Sequence, residues 1–414
     1  MPEFLKLLPT HQALQILLSN LVIKGTGERV PTISALNRVT ASSICAEIPM
    51  PSFPRSTVDG YAVRAADTFG ASESLPAYLN VIGEIKMGSS PGFNINQGEA
   101  GLIHTGGMLP ESSNAVVMLE YTQTVGSETL EVLRPVAVGE NIIKIGEDVK
   151  AGEEVIPAGV RIRPAEIGGL AALGLVELVV VKKPTVGIIS TGDEVIPPEL
   201  ELLPGQVRDI NSFTLSALLD RAGATPEMYG IFPDQYDLIY SIADKALHEC
   251  DIVLITAGSS ASARDLTARV INQLGKPGVL VHGVNIKPGK PTILAVCDHK
   301  PVIGLPGNPV SALVIASLFV VPVVESFLGL SSIGVRTKLQ AKLGVNIASQ
   351  AGREDWVAAC LVTDQNGNRV DPIFSKSNLI FSLVRANCMI HVPADATGLS
   401  AGENIEVQLL PWQG

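Results

Sequence analysis

At 414 residues the chain is too long for one ordinary core, so two to four domains are expected. Its composition, 46% hydrophobic and 4% aromatic, is that of a globular protein; a net charge of −11 argues against non-specific nucleic-acid binding, which needs clustered Lys and Arg. Five scattered cysteines (Cys45, Cys250, Cys297, Cys360, Cys388) have the spacing of neither a disulfide framework nor a zinc site.

The first stretch, "MPEFLKLLPTHQALQILLSN", lacks the charged start and cleavage site of a signal peptide. Leu14, Leu17, Leu18 and Leu21 recur at helical spacing, and a cytoplasmic protein is expected. Residues 1–48 read as helical with an extended tail. Across 49–140, short β-type runs ("YLNVIGEI", "GLIHTG", "NAVVMLEY", "TLEVLR") alternate with Gly, Pro and Ser, which predicts a β-rich insert. Residues 141–178, Gly-punctuated turns and then a short helix, read as a connector that closes back on the first segment. From 179 to 330 strand-like runs ("TVGIIST", "PEMYGIF", "DIVLITAG", "TILAVC", "PVIGLPG") alternate with helix-like ones, the pattern of an α/β domain with a mostly parallel sheet covered on both faces. The apolar run Val310 to Phe327 approaches membrane-spanning length, but Ser311, Ser317, Pro322 and Glu325 suit a buried helix better, and no membrane role is expected. Residues 331–414 return to short strands and predict a small C-terminal β domain.

In open parallel sheets ligands bind beyond the carboxyl ends of the strands. Three unusual stretches fall there. One is Ser190-Thr191-Gly192-Asp193-Glu194; a second runs from Thr256 to Leu266 and contains Gly258 and Ser260; the third is "GLPGNPVSA". In the third, Pro309 suits a first helical position and Asn308 an N-cap, so Pro306, Gly307, Asn308, Pro309 and Ser311 outline a strand, a tight turn and a helix start suited to an anion. "NIKPGKP" adds Lys287 and Lys290, point-charge partners for phosphate. Asp193 and Glu194 would repel phosphate unless a hard cation such as Mg²⁺ sat between them. Each stretch alone reads more readily as a turn than as a site, and the two lysines read equally well as a solvated loop. Together they predict a phosphate-bearing small molecule bound with a divalent metal. In the insert, "PRSTVDGYAV" and "HTGGMLP" would pass for ordinary loops.

The ordered set "STVDGYAVRAAD", "HTGGMLP…NAVVMLE", "IGEDV", "STGDEV", "IKPGKP" and "GLPGNPVSA" resembles the MoeA-type molybdopterin molybdenumtransferases, the family that includes the C-terminal part of gephyrin, over essentially the whole chain. The resemblance implies a homodimer of four-domain subunits: an elongated domain from 1–48 and 141–178, the insert 49–140, a central MogA-like α/β domain 179–330 and a β-barrel-like domain 331–414. It implies insertion of molybdate into adenylylated molybdopterin with Mg²⁺ and release of AMP, at a site between the α/β domain of one subunit and the insert of the other. Carried over motif by motif, the catalytic residues are Asp59, Thr105, Asp148, Glu194, Asp234 and Asp265. Asp193, Glu194 and Asp265 become the metal ligands, and Lys287, Lys290, Pro306 and Pro309 line the ligand. A molybdopterin adenylyltransferase and molybdoenzyme chaperones are implied as partners. One departure stands out: the family loop Ser-Gly-Gly-x-Ser-x-Gly is here Thr256-Ala257-Gly258-Ser259-Ser260-Ala261-Ser262, with two glycines lost. Alternative readings are a molybdopterin adenylyltransferase and a non-catalytic cofactor carrier or scaffold.

Overall fold

The structure is a computed structural model that describes residues 7–23, 25–257, 261–365 and 367–410, without the side chains of 261–264. Two compact units form, one from 42–158 and 164–177, the other from 1–41, 159–163 and 178–414.

The described residues up to 48 are less helical than the leucine spacing predicts. Among them one α-helix forms, α1 (Thr10–Ser19), which buries Ala13 and Leu17. Gly25, Gly27 and Pro31 break the pattern, and the chain goes on as short extended pieces, Gly27–Pro31 and Ile44–Cys45.

The smaller unit holds a mixed six-stranded sheet of β1 (Gly60–Val63), β2 (Ala77–Glu84), β3 (Glu99–Ile103), β4 (Ala115–Met118), β5 (Thr122–Val125) and β6 (Thr129–Val132), in the order β4-β1-β3-β2-β6-β5. Tyr61, Val63, Ala100, Val117, Leu130 and Val132 fill one core beneath it. The expected connector helix is α2 (Pro164–Ala172).

In the larger unit β7 (Thr185–Thr191), α3 (Asn211–Ala222), β8 (Thr225–Phe232), α4 (Tyr236–Glu249), β9 (Ile252–Ala257) and α5 (Ala261–Leu274) alternate, followed by β10 (Pro277–His282), β11 (Ile293–Cys297) and β12 (Lys300–Pro306). The sheet order is β8-β7-β9-β12-β11-β10. Both faces are covered, and β9 shows how. Ile252 and Leu254 face one core with residues of α3, while Val253 and Ile255 face another with residues of α4 and α5. β8, β7, β9 and β12 pair in parallel; β11 runs antiparallel to β12, and β10, antiparallel to β11, returns to the direction of the other four. The cause is local. Asp298 and His299, both with positive φ (48° and 74°), close β11 onto β12 as a two-residue hairpin.

The long apolar run forms α6 (Pro309–Phe327), long and apolar enough to cross a membrane but 78% buried within the protein across its apolar window. A π turn over Ala316–Val320 precedes Pro322, whose missing N–H interrupts the helical bonding. The last strands are β13 (Lys338–Leu343), β14 (Glu354–Asp364), β15 (Gly367–Pro372), β16 (Cys388–Val392) and β17 (Asn404–Leu409). They are ordered β14-β15-β13-β17-β16, and β16 pairs back onto β14 to close a five-stranded barrel. The short strand Ile286–Lys287 pairs in parallel with Glu354 and Asp355, joining the lysine loop to the barrel.

Candidate active site

Registers Ser190↔Thr256, Thr256↔Leu305 and Ala257↔Pro306 bring the carboxyl ends of β7, β9 and β12 level. A cavity of about 630 Å³ opens beyond them. Lys287, Lys290, Pro306, Gly307, Asn308 and Ser311 line it, as the sequence predicts for one ligand crevice. Both lysines are exposed. Gly289 between them has φ +110°, and a Cβ there would fall 2.4 Å from the Ile315 side chain, so only glycine lets the loop lie against α6.

The start of α6 differs from expectation. Pro309 is at the first helical position, but the Asn308 side chain does not cap the helix; its Nδ2 donates to Ser377 Oγ at 3.0 Å. The Val310 amide donates to the Ser377 carbonyl at 3.1 Å. One of the N–H groups expected to hold anion is therefore already used, because the C-terminal domain reaches the helix start.

That domain contributes a wall that local sequence patterns did not reveal. Arg353, Asp355, Trp356 and Lys376 line the cavity with Ser377. Arg353 clasps the buried Asp355 through Nε to Oδ1 (2.7 Å) and Nη2 to Oδ2 (3.3 Å). The Trp356 ring stacks on His391 with centroids 4.7 Å apart, and its buried Nε1 has no hydrogen-bond partner. These residues lie far along the chain from the α/β motifs and have no repeated spacing; only the closed barrel brings them to the cavity.

A second cavity, about 330 Å³, shares Gly307 and Asn308 with the first and is lined by Ser190, Thr191, Glu194, Asn211 and Thr256. Ser190 and Thr256 are tied up in a buried hydroxyl chain: Ser190 Oγ lies 2.9 Å from Ser212 Oγ, and Thr256 Oγ1 donates to Ser190 Oγ at 3.2 Å. Asn211 donates to the Gly307 carbonyl at 2.9 Å, but its Oδ1 is buried without a partner. Gly192, at φ +143°, turns the chain where a Cβ would meet Glu194 Oε2 at 2.9 Å.

Asp193 and Glu194 are exposed, and Asp193 Oδ1 accepts the Asp234 amide at 3.2 Å. Burial pushes the Asp234 carboxyl above its ordinary value; Asp193 and Glu194 push it further, against the Thr191 hydroxyl. Its Oδ1 is buried with no hydrogen-bond partner. A buried acceptor beside two exposed carboxylates supplies hard oxygen donors of the kind Mg²⁺ takes together with phosphate oxygens. It is not a closed cage: among the described residues no three His, Cys, Asp or Glu side chains gather to hold a metal ion. Asp265 is exposed on α5 and does not complete the expected trio with Asp193 and Glu194. Gly258, Ser259 and Ser260 lie outside the described residues; of the two replaced glycines, Ala257 ends β9 and lines the first cavity, and Ser262 lies in α5.

In the smaller unit, the β1–β3 register Gly60↔Ile103 brings Asp59 to Thr105. Asp59 Oδ1 accepts the Thr105 amide at 2.8 Å and its hydroxyl at 3.3 Å. The amide bond holds the Asp59 carboxyl below its ordinary value. His104 lies between two acids, 3.1 Å from Glu84 Oε1 and 3.7 Å from Asp59 Oδ1. Asp148 is exposed, with its amide bonded to the Met50 carbonyl at 3.0 Å.

A cationic cavity beyond the strand ends of a mostly parallel sheet, walled by a barrel and joined to a smaller polar one, defines an α/β protein with a crevice where such folds take small molecules. The chain belongs to the MoeA family: residues 8–174 match the MoeA N-terminal region (domain I and II), 187–326 a "probable molybdopterin binding domain", and 340–410 the MoeA C-terminal region (domain IV). It is 33% identical to the molybdopterin molybdenumtransferase of Bacillus subtilis, over 94% of this chain and 90% of that one. It is 30% identical to the one from Nostoc, over 93% and 89%. The crystal structure of a molybdopterin biosynthesis MoeA protein from Pyrococcus horikoshii superposes with a TM-score of 0.86 at 36% identity, covering 98% of this chain and all of that one.

Proposed function

We propose that the chain is a molybdopterin molybdenumtransferase: it joins molybdate to the dithiolene of adenylylated molybdopterin and releases AMP. The observation that carries this is the cavity pair meeting at Gly307 and Asn308, which has room for a nucleotide-linked pterin and sets Lys287, Lys290 and Arg353 around its larger part. The two lysines hold phosphate as point charges, and Arg353, fixed by Asp355, offers a positioned guanidinium to an oxyanion. Asp193 and Glu194, beside the Asp234 carboxyl, would hold Mg²⁺ together with oxygens of the ligand, and the ion when bound offsets charge on the phosphoanhydride. No side-chain nucleophile is needed, since positioning and charge compensation suffice. In this reading the subunits form a homodimer, and Asp59, Thr105 and Asp148 act on the site of the partner. The test is a single-turnover reaction of the full chain with adenylylated molybdopterin, molybdate and Mg²⁺, following AMP. The expected result is stoichiometric AMP release that depends on molybdate; formation of adenylylated molybdopterin from ATP instead would identify an adenylyltransferase.

A further inference from the structure

A third cavity, about 710 Å³, lies at the opposite end of the α/β sheet. Lys183, two residues before β7 begins, lines it, whereas the candidate active site is built around Thr191 at the other end of that strand, whose ends lie about 20 Å apart. Two helices connect the regions. The N-terminal residue of α3, Asn211, lines the active-site cavity, and Asp220 to Gly223 at its C-terminal end line the third cavity. α6 likewise starts at the active site, while its Val321 and Glu325 line the third cavity.

Five cations face this space, Arg38, Arg161, Lys183, Arg221 and Arg336, against two acids, Asp220 and Glu325, in a protein whose net charge is −11. Part of that charge has internal work. Arg38 pairs with Glu28 and donates to the Val181 carbonyl at 2.9 Å; Arg161 donates to the carbonyls of Asn37 and Ala222, each at 3.0 Å. Two donors are left over. Arg336 Nη1 pairs with Glu325 Oε1 at 2.8 Å, and Glu325 Oε2 accepts the Gly334 amide at 2.7 Å, so each Glu325 oxygen already has a partner. Arg336 Nη2 is buried and has no partner. Lys183 is half-buried, and among the described residues nothing pairs with its ammonium. A buried guanidinium N–H without an acceptor is costly and needs an explanation.

We propose that this cavity is a second ligand site, which binds a small phosphate-bearing anion between Lys183 and Arg336. Phosphate supplies several acceptor oxygens and up to two charges, which suits one guanidinium donor and one ammonium better than a neutral ligand would. Leu36, Leu218, Val321 and Leu409 give an apolar wall for the rest of the molecule, and the volume is that of a small-molecule pocket. The proposal is independent of the reaction assigned to the other cavity.

Calorimetric titration of the full chain with inorganic phosphate tests it, with variants that separate the two cavities. Lys290→Gln removes a cation from the active-site cavity and Lys183→Gln one from this cavity. Phosphate binding should persist in Lys290→Gln; in that background Lys183→Gln should weaken it about tenfold, the worth of one charge-assisted hydrogen bond, and Lys183→Arg should restore it. Binding that disappears in Lys290→Gln, or that is the same with and without Lys183→Gln in that background, would overturn the proposal. So would the absence of saturable binding up to about 10 mM, a concentration beyond the range of a specific site.

Discussion

At the scale of single residues, Asp234 is where the site carries an electrostatic cost. Burial and the neighbouring Asp193 and Glu194 raise its carboxyl above the ordinary 3.8. A carboxyl raised on folding binds its proton more tightly in the folded state. The stability that this gives is complete below pH 3.8 and is lost as pH rises through the folded value. At neutral pH the ionised group therefore weighs against folding until a cation compensates it. Asp234→Asn should raise the melting temperature of the ligand-free protein at pH 7, and that advantage should vanish when both proteins are melted below pH 3.8. Added Mg²⁺ should stabilise the unaltered chain more than the variant. AMP release should fall at least about tenfold in the variant, the scale seen when the surroundings of a metal site are disturbed. A variant with no gain at pH 7 and full activity would make Asp234 an ordinary loop residue.

At the scale of elements, backbone approach positions the catalytic candidates. Gly60 opens β1, and a Cβ there would lie 1.9 Å from the Val117 carbonyl oxygen of β4. Gly60→Ala should force β1 and β4 apart, destabilising the smaller unit by about 1–3 kcal/mol and displacing Asp59 from Thr105. Gly168→Ala makes a matched control. Gly168 lies within α2 with nothing within 4 Å of its added Cβ, so the variant should be more stable by about 0.5–1 kcal/mol. Thermal unfolding of both variants checks the opposite signs. The elements of the α/β domain were legible because β9 is an apolar run, as a strand buried on both faces must be, and α6 is apolar over nearly all its length. Strand direction was not legible: the apolar patterns of β11 and β12 are the same whether they run parallel or antiparallel, and the deciding feature is the positive φ of Asp298 and His299. The lysine loop and the Pro309 helix start could be read from local chemistry. Arg353, Asp355, Trp356 and Ser377 could not, since their role comes from barrel closure and from the pairing of Ile286–Lys287 with β14. The same contact explains why Asn308 gave up its capping role, because Ser377 offers its side chain a partner.

At the scale of the whole molecule, the two compact units divide the candidate residues. Asp59, Thr105 and Asp148 belong to one, and Glu194, Asp234, Lys287 and Lys290 to the other. If the enzyme is a homodimer whose sites take each set from a different subunit, damage to the two sets should complement. Asp59→Asn and Glu194→Gln should each be folded and inactive alone, because Asp59 is an exposed acceptor and Glu194 is exposed at a strand end. After subunit exchange at equal concentrations, about half the dimers are mixed. Each mixed dimer carries one site with both defects and one with neither, so about a quarter of the unaltered activity should return. A site built within one subunit gives a different result, since every site then keeps one defect in any mixture. AMP release measured before and after mixing decides between these outcomes, with light scattering to establish the dimer and mass spectrometry of the intact complex to show that exchange occurred. No return of activity in a mixture shown to contain mixed dimers would place both sets in one subunit's site.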